Sequence, residues 1–410
     1  MKANRLTIVA LVSGVGLLAP IPWMLTSCAT TEAGTPAEDP PGATLPEAGA
    51  TDGSDAGSPV DGGCDAADPD CVSKPVTCAE AAWCPTPTNV SNLYALTAVW
   101  GSSKTDVWAA GSGGTMLHWD GVAWTPTTLP SPTASPIKNT FHALWGTGPN
   151  DVWAASATNV IFHTDGWKGG GATWERVPSA TENDWSSAPI YAVWGDGSGE
   201  LRFGGRPYDL YDPDSDVFGP ANQIIKTSAG GGLAWIGEFG TPTIHGYWGT
   251  AEDLWIIGDN SAYVDWQLGL TLHGTRASKD ARFTWTEVDS QANVVLRGIW
   301  GSSANDIWAV GDKGTIRHIG AGGAQWQWEI VASPTTETLH AVWGAAPNDV
   351  WAVGASGAIL HWDGAAWKES IAAFPVNKKK PHLYGVWGSG PDDVWIVGDG
   401  IALHYTGGAK

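Results

Sequence analysis

Positive charge is what this chain has least of. Its 410 residues carry 21 Lys and Arg against 42 Asp and Glu, a formal net charge of −21. Nucleic-acid binding needs a basic face that displaces counterions from phosphates, so nucleic acid is not an expected partner. The one basic run, Lys378-Lys379-Lys380, reads as a solvated loop. Charged residues of either sign reach only 15% and do not recur at helical spacing, and Met numbers only 3. No nucleophile elbow, HExxH helix, phosphate loop or dinucleotide fingerprint is visible, which removes the common enzyme signatures. In their place stand 27 Trp and 54 Gly, against 8 Tyr and 7 Phe. Trp and Gly punctuation without helical periodicity predicts many short strands joined by tight turns.

Residues 1–28 read as an export signal, with Lys2 and Arg5 before the apolar stretch Leu6 to Leu25. The sequence Leu25-Thr26-Ser27-Cys28 resembles the bacterial lipobox. That resemblance implies a lipid on the Cys28 sulfur, cleavage before it, and attachment to the membrane through the lipid anchor only. An uncleaved membrane helix is the competing reading; Pro20, Pro22 and the placement of Cys28 count against it. Ala29, where the sorting rule is read, suggests the outer membrane, so the expected location is the bacterial cell envelope. Residues 29–76 are Ala, Gly, Pro, Thr, Ser, Asp and Glu, too poor in apolar surface to offset ordering entropy, and are expected to form a disordered acidic tether. Cys64, Cys71, Cys78 and Cys84 lie within 21 residues. In an exported chain they predict two disulfides, with three pairings open. Zinc is the rival reading, but CxxC spacing and a nearby His are both lacking.

The rest of the chain, 77–410, repeats. A Trp-Gly pair recurs at Trp100, Trp145, Trp194, Trp248, Trp300, Trp343 and Trp387, at intervals of 45, 49, 54, 52, 43 and 44 residues. Each unit holds four short strands separated by Gly or Asp turns, as in Leu339-His340-Ala341-Val342-Trp343-Gly344, Asp349-Val350-Trp351-Ala352-Val353-Gly354, Ile359-Leu360-His361-Trp362 and the strand around Trp367. Periods in the forties with four strands per unit predict an all-β, seven-bladed β-propeller of four-stranded antiparallel blades. Trp recurs in the second strand (Trp108, Trp153, Trp255, Trp308, Trp351, Trp395) and in the fourth (Trp124, Trp174, Trp235, Trp285, Trp326 or Trp328, Trp367). The third unit has Arg202 and Phe203 where the second-strand Trp belongs. The last unit ends after its third strand at Tyr405. Its missing strand is found at the other end, where Ala81-Ala82-Trp83-Cys84-Pro85-Thr86 matches Val122-Ala123-Trp124-Thr125-Pro126-Thr127. The N-terminal strand is therefore expected to complete the last blade and leave no open edge. The repeated Trp are expected to fill the wedge between blades.

This repeat, with its Trp119-Asp120-Gly121 and Trp362-Asp363-Gly364 turns, resembles the tandem-repeat propellers of secreted myxobacterial lipoproteins, which are themselves reminiscent of Asp-box (sialidase-like) propellers. The resemblance spans about 83–405 and implies architecture; the Trp-Asp-Gly turns would be structural. Sialidase chemistry would require an arginine triad in the recurrent start motif. The seven Arg of this region, Arg176, Arg202, Arg206, Arg276, Arg282, Arg297 and Arg317, do not stand there, and fold by itself does not assign function.

Two sets of polar residues recur. His118, His163, His273, His318, His361 and His404 share one third-strand position, roughly 10 Å outside the innermost strand. On so wide a circle they cannot share a metal bonded at about 2 Å, and they are expected to tie strand to turn by a hydrogen bond. Three residues before each Trp-Gly lie Thr97, His142, Tyr191, His245, Arg297, His340 and Tyr384, followed by Ala98, Ala143, Ala192, Gly246, Gly298, Ala341 and Gly385. This polar ring at one mouth of the propeller is the candidate ligand site; the alternative is hydrogen bonding between blades. Two insertions share its face. Arg206 to Asp216 in the third unit brings Arg206 and Tyr208, and Ser261 to Gly269 in the fourth brings Trp266. Asp212, Asp214 and Asp216 alternate like calcium ligands, although a solvated acidic loop explains them as well, and no other cofactor is expected. The reading preferred from these residues is a monomeric, envelope-anchored binding module for a glycan or a protein. The alternatives are a polysaccharide hydrolase drawing acids such as Asp209 and Asp212 from the third-unit loop, or a structural assembly factor.

Overall fold

The computed structural model describes residues 76–130, 138–157, 160–178, 188–197, 199–212, 217–226, 233–234, 242–260, 268–279, 281–320, 326–375 and 379–406, with backbone alone for 208–212, 217–222, 224 and 233–234. The signal, the tether, Cys28, Cys64, Cys71, Asp214, Asp216, Trp266 and Trp235 lie outside these residues.

Seven four-stranded antiparallel sheets follow one another along the chain. Blade 1 is Leu96–Ser103, Asp106–Gly111, Met116–Trp119 and Trp124–Pro126; blades 2 to 6 have inner strands beginning at Ala143, Ile190, Thr243, Leu296 and Leu339. In blade 7, Leu383–Gly390, Asp393–Gly398 and Ile401–Tyr405 are joined by the N-terminal Cys84–Pro85 as outermost strand. Cys84 pairs with His404 and Pro85 with Leu403, as the match of Trp83 to Trp124 predicts. Each inner strand neighbours the next, and the inner strand of blade 7 returns to that of blade 1, so the sheets form a closed circle.

Why the second strand reads Asp-Val-Trp-Ala-Val-Gly follows from this circle. A blade has a neighbour on each face, so its middle strands are buried on both sides and carry continuous apolar runs rather than alternation. Val350, Trp351, Ala352 and Val353 are wholly buried, and so are their counterparts in blades 1, 5 and 7. The tryptophans make the seams. The fourth-strand Trp of one blade meets the second-strand Trp of the preceding blade edge-on: Trp174 on Trp108, Trp328 on Trp255, Trp367 on Trp308, Trp83 on Trp351 and Trp124 on Trp395, with interplanar angles of 82–89°. Of the two blade 5 candidates, Trp328 holds this place. Such edge-to-face geometry sets the positive rim of one ring against the negative face of the other.

Blade 3 departs from the pattern. Arg202 lies opposite Trp194, the register that Trp108 holds opposite Trp100. Its guanidinium is buried and bonds Glu200 at 2.9 Å and Gln223 at 3.3 Å. Arg276 of blade 4 reaches the other Glu200 oxygen at 2.9 Å, and both guanidiniums lie over Phe283. A paired, ring-covered cation cluster thus fills the seam that indoles fill elsewhere.

Of the four clustered cysteines, Cys78 and Cys84 form a disulfide. It holds the closing strand to the segment before it.

Candidate functional site at the propeller mouth

The start of each inner strand, the hairpin between second and third strands, and the connection from the preceding blade all lie on one face, since Leu96 pairs with Gly111 at the strand end. All seven ring residues stand at this face, half-buried rather than in the core. Six of them, Thr97, Tyr191, His245, Arg297, His340 and Tyr384, are the extra residue of a β-bulge, because the pairing skips from Leu96 to Ala98 and equivalently in blades 3 to 7. In blade 2 the paired strand begins just after His142. A bulge leaves one residue unpaired and re-aims its side chain. The small residues that follow keep neighbouring inner strands close: a Cβ on Gly298 would stand 3.0 Å from the Cα of Ala341.

The ring residues then divide by partner. Thr97 donates to the carbonyl of Phe141. His245 bonds Asp259 at 2.6 Å, and Arg297 grips Asp312 through Nε and a terminal nitrogen at 2.5 and 3.1 Å. Tyr384 is bonded to Asp399. Asp259, Asp312 and Asp399 each follow the glycine that ends the second strand, across the hairpin from the ring residue they hold. Sequence reasoning missed these three. Their signal was an Asp four residues after the second-strand Trp, present in blades 4, 5 and 7 only. For the side chains of His142, Tyr191 and His340 no hydrogen-bonding partner is seen among the described residues. They make ring contacts instead, His142 with Tyr191 at 5.4 Å, Tyr191 with His245 at 5.5 Å and His340 with Tyr384 at 5.2 Å.

Burial sets the protonation of this mouth. It pushes the His142 imidazole below its ordinary value. His340 falls to about 4, through burial first and then the Arg297 and His382 charges. Burial likewise raises Tyr191, and raises Tyr384 to about 12 with the help of the Asp399 carboxylate. At neutral pH His142 and His340 therefore offer uncharged imidazoles, and Tyr191 and Tyr384 neutral phenols, each both donor and acceptor.

The third-strand histidines behave as expected. Each bonds the Asp that opens the second strand of its blade: His118–Asp106 2.7 Å, His163–Asp151 2.9 Å, His273–Asp253 3.0 Å, His318–Asp306 2.7 Å, His361–Asp349 2.7 Å and His404–Asp393 2.6 Å. The same Asp accepts from a bulged Ser or Thr, as in Ser102–Asp106 and Ser389–Asp393, both at 2.5 Å. Imidazoles also stack on the second-strand indole, His404 on Trp395 at 3.9 Å and 8°. The Asp120 and Asp363 carboxylates of the Trp-Asp-Gly turns each accept two backbone N–H groups. Packing and turn formation account for all of these residues.

The third-unit insertion is not a simple loop. Second and third strands continue as a paired ribbon, with Tyr208 opposite Ala221 and Asp212 opposite Val217. Arg206, at its base, is exposed. Of the Asp212, Asp214 and Asp216 triplet only the Asp212 backbone is described, and among the described residues no group of three His, Cys, Asp or Glu is placed to hold a metal. A separate cleft of 510 Å³ opens on blade 2 at the hairpin of its third and fourth strands, away from the ring, between His163, Asp165, Lys168 and Glu175.

No family model matches this chain, and no curated protein does. Among solved structures it is similar to YCF48 from Cyanidioschyzon merolae, with 17% identity and a TM-score of 0.59 over 79% of this chain and 99% of that one. It is similar also to YCF48 bound to D1 peptide, with 17% identity and a TM-score of 0.57 over 80% and 96%. Streptogramin B lyase follows with 14% identity and a TM-score of 0.52 over 76% and 93%. One of these structures holds a peptide and another is a lyase, so what they share with this chain is the β-propeller fold.

Proposed function

We propose that this chain is a binding module of the bacterial cell envelope, anchored through a lipid on Cys28, that takes a glycan or a protein segment at the ring-bearing mouth of its propeller. One observation carries the reading: seven half-buried polar side chains, one per blade, converge there, six of them re-aimed by a bulge. A bulge repeated six times disrupts the ladder each time. Packing explains the recurrent Trp, Gly and third-strand His, but it does not call for varied polar residues at these bulges. His142, Tyr191 and His340 hold donors and acceptors that the described fold leaves unused, which supports a ligand. The peptide-bound YCF48 structure is consistent with a propeller of this general form taking a polypeptide.

The test is a binding screen of the full chain against a glycan array and solubilised envelope proteins, repeated with His142→Ala, Tyr191→Phe and His340→Ala combined. The expected result is a ligand lost by the triple variant at unchanged thermal stability. A ligand bound equally well by the variant would overturn the assignment of the mouth. Fatty-acid labelling that persists in Cys28→Ser would overturn the anchor.

A further inference from the structure

We infer that the sector of the mouth formed by blades 2 to 4 takes an acidic sugar residue, its carboxylate held by the Arg206 guanidinium and the Tyr191 hydroxyl. This rests on the reading of the mouth as a ligand site, and names the ligand class.

A change of sign at one repeat position carries the inference. The residue after the glycine that ends the second strand is Asp259 in blade 4, Asp312 in blade 5 and Asp399 in blade 7, and each engages the ring residue of its own blade. In blade 3 that residue is Arg206, following Gly205, which pairs with Ile190 beside Tyr191. Its backbone N–H donates to the Pro189 carbonyl at 3.0 Å, which fixes the Cα at the mouth. Four other arginines are held within the protein: Arg202 and Arg276 on Glu200, Arg297 on Asp312, Arg317 on three main-chain carbonyls. Arg206 is exposed, and no carboxylate pairs with it among the described residues. Asp259, Asp312 and Asp399 face bases or a phenol within the protein, and at this repeat position Arg206 is the charge that no described carboxylate matches. Its field reaches the Tyr191 phenol, which likewise has no hydrogen-bond acceptor among the described residues. A guanidinium and a hydroxyl donor carried at one strand end are suited to a carboxylate, which the guanidinium can grip bidentately.

A sugar fits better than a peptide. Binding of a protein segment concentrates on apolar or aromatic anchors. Among the residues whose side chains are described, the exposed large apolar ones are Leu93, Tyr94, Val122, Ile330 and Ile371, none of them in blades 2 to 4. What the described side chains of this sector present is the half-buried run His142–Tyr191–His245, in which Asp259 holds His245 while the His142 and Tyr191 side chains have no hydrogen-bond partner among the described residues. A uronate brings one carboxylate for Arg206 and hydroxyls for uncharged imidazole.

The experiment is calorimetric titration of the full chain with oligogalacturonate and alginate oligomers, with neutral malto-oligosaccharide and oligoglutamate as controls, at low and physiological salt. The expected result is uronate binding that weakens with salt, falls at least about tenfold in Arg206→Gln, and falls about threefold or more in Tyr191→Phe, with unchanged melting temperatures. Uronate affinity untouched by Arg206→Gln overturns the inference, as does absence of uronate binding. Preference for oligoglutamate assigns the sector to acidic polypeptide and overturns the sugar. In each of these cases, loss of some other ligand on His142→Ala with His340→Ala would leave the mouth itself standing as a binding site.

Discussion

The indole of Trp387, in the last blade, lies against Gly101 in the first, so that a Cβ at residue 101 would stand 2.6 Å from its Cη2. The relation runs round the axis. Trp100 meets Gly146, Trp145 meets Gly195, Trp248 meets Gly301, Trp300 meets Gly344 and Trp343 meets Gly388, while the Trp194 indole donates to the Gly249 carbonyl at 3.3 Å. The Trp-Gly pair is thus one half of each of two seams: its Trp packs forward and its Gly receives the Trp from behind.

Gly101→Ala should therefore act as overpacking at the closing seam. Its Cβ would meet both the Trp387 ring and, at 2.7 Å, the Asp106 carbonyl, and the latter is backbone that cannot swing away. A loss of about 1–3 kcal/mol is expected in urea unfolding. Gly390→Ala, at a position with nothing within 4 Å of the added carbon, should stay within about 0.5 kcal/mol of the parent. Equal effects of the two would sink the packing account.

The closing strand has only two paired residues, so its hold depends on what surrounds it. Trp83 is fully buried, edge-on to Trp351 at 4.8 Å, and its indole N–H reaches Ser370 Oγ at 3.2 Å. Trp83→Ala should cost about 3–5 kcal/mol. Cys78→Ser, which opens a short loop, should cost about 2 kcal/mol. If these energies serve closure, hydrogen exchange at Leu403 and His404 should quicken in both variants ahead of that in blades 3 and 4. Uniform quickening would argue for global loosening instead.

Blade number and closure were legible because each depends on a residue type that recurs at fixed spacing: the Trp-Gly pairs, and the likeness of Trp83 to Trp124. The third-strand His bond was legible as a bond but not to its partner. Asp106 and His118 become neighbours only when the hairpin register is known. The ring was found by counting back from Trp-Gly, yet its bulges left no mark in composition, since one skipped pairing changes where Thr97 points without changing what it is. The cation cluster of Arg202, Glu200 and Arg276 was not legible at all. Its members lie up to 76 residues apart and meet only across the seam of blades 3 and 4.

Acid should destabilise the propeller through the Asp106–His118 and Asp393–His404 pairs. Burial works to raise the Asp393 carboxyl, but hydrogen bonds from His404 and Ser389 outweigh it, and the group titrates below its ordinary value; Asp106 is held down in the same way by His118 and Ser102. A carboxyl whose folded value is depressed adds stability above its unfolded value of about 3.9, and this is lost as pH falls through the folded one. Urea midpoints of the parent should hold their Asp393 contribution down to about pH 4 and then drop. Asp393→Asn should be less stable at pH 7 by about 1–2 kcal/mol and show a shallower fall below pH 4. A parallel fall in both proteins would remove Asp393 from the acid transition.

At the mouth the sign is the same but the pH window lies higher, because the His340 imidazole is also held below its ordinary value. With its value near 4, it stays neutral in the folded protein at a pH where the unfolded chain, near 6.5, has taken up a proton. Acidification from about 6.5 to 4 therefore favours the unfolded state through this group. Burial is the main cause and the positive charge of Arg297 the next, with Asp312 pulling the other way. Arg297→Ala removes the cation and leaves Asp312 without its guanidinium, and both changes favour imidazolium. The His340 ring, followed by NMR titration, should move up from about 4 toward, but not to, 6.5, because burial remains. A midpoint unchanged in Arg297→Ala would mean that burial alone holds the imidazole neutral, and that the charge of blade 5 does not reach the hydrogen-bonding groups of blade 6.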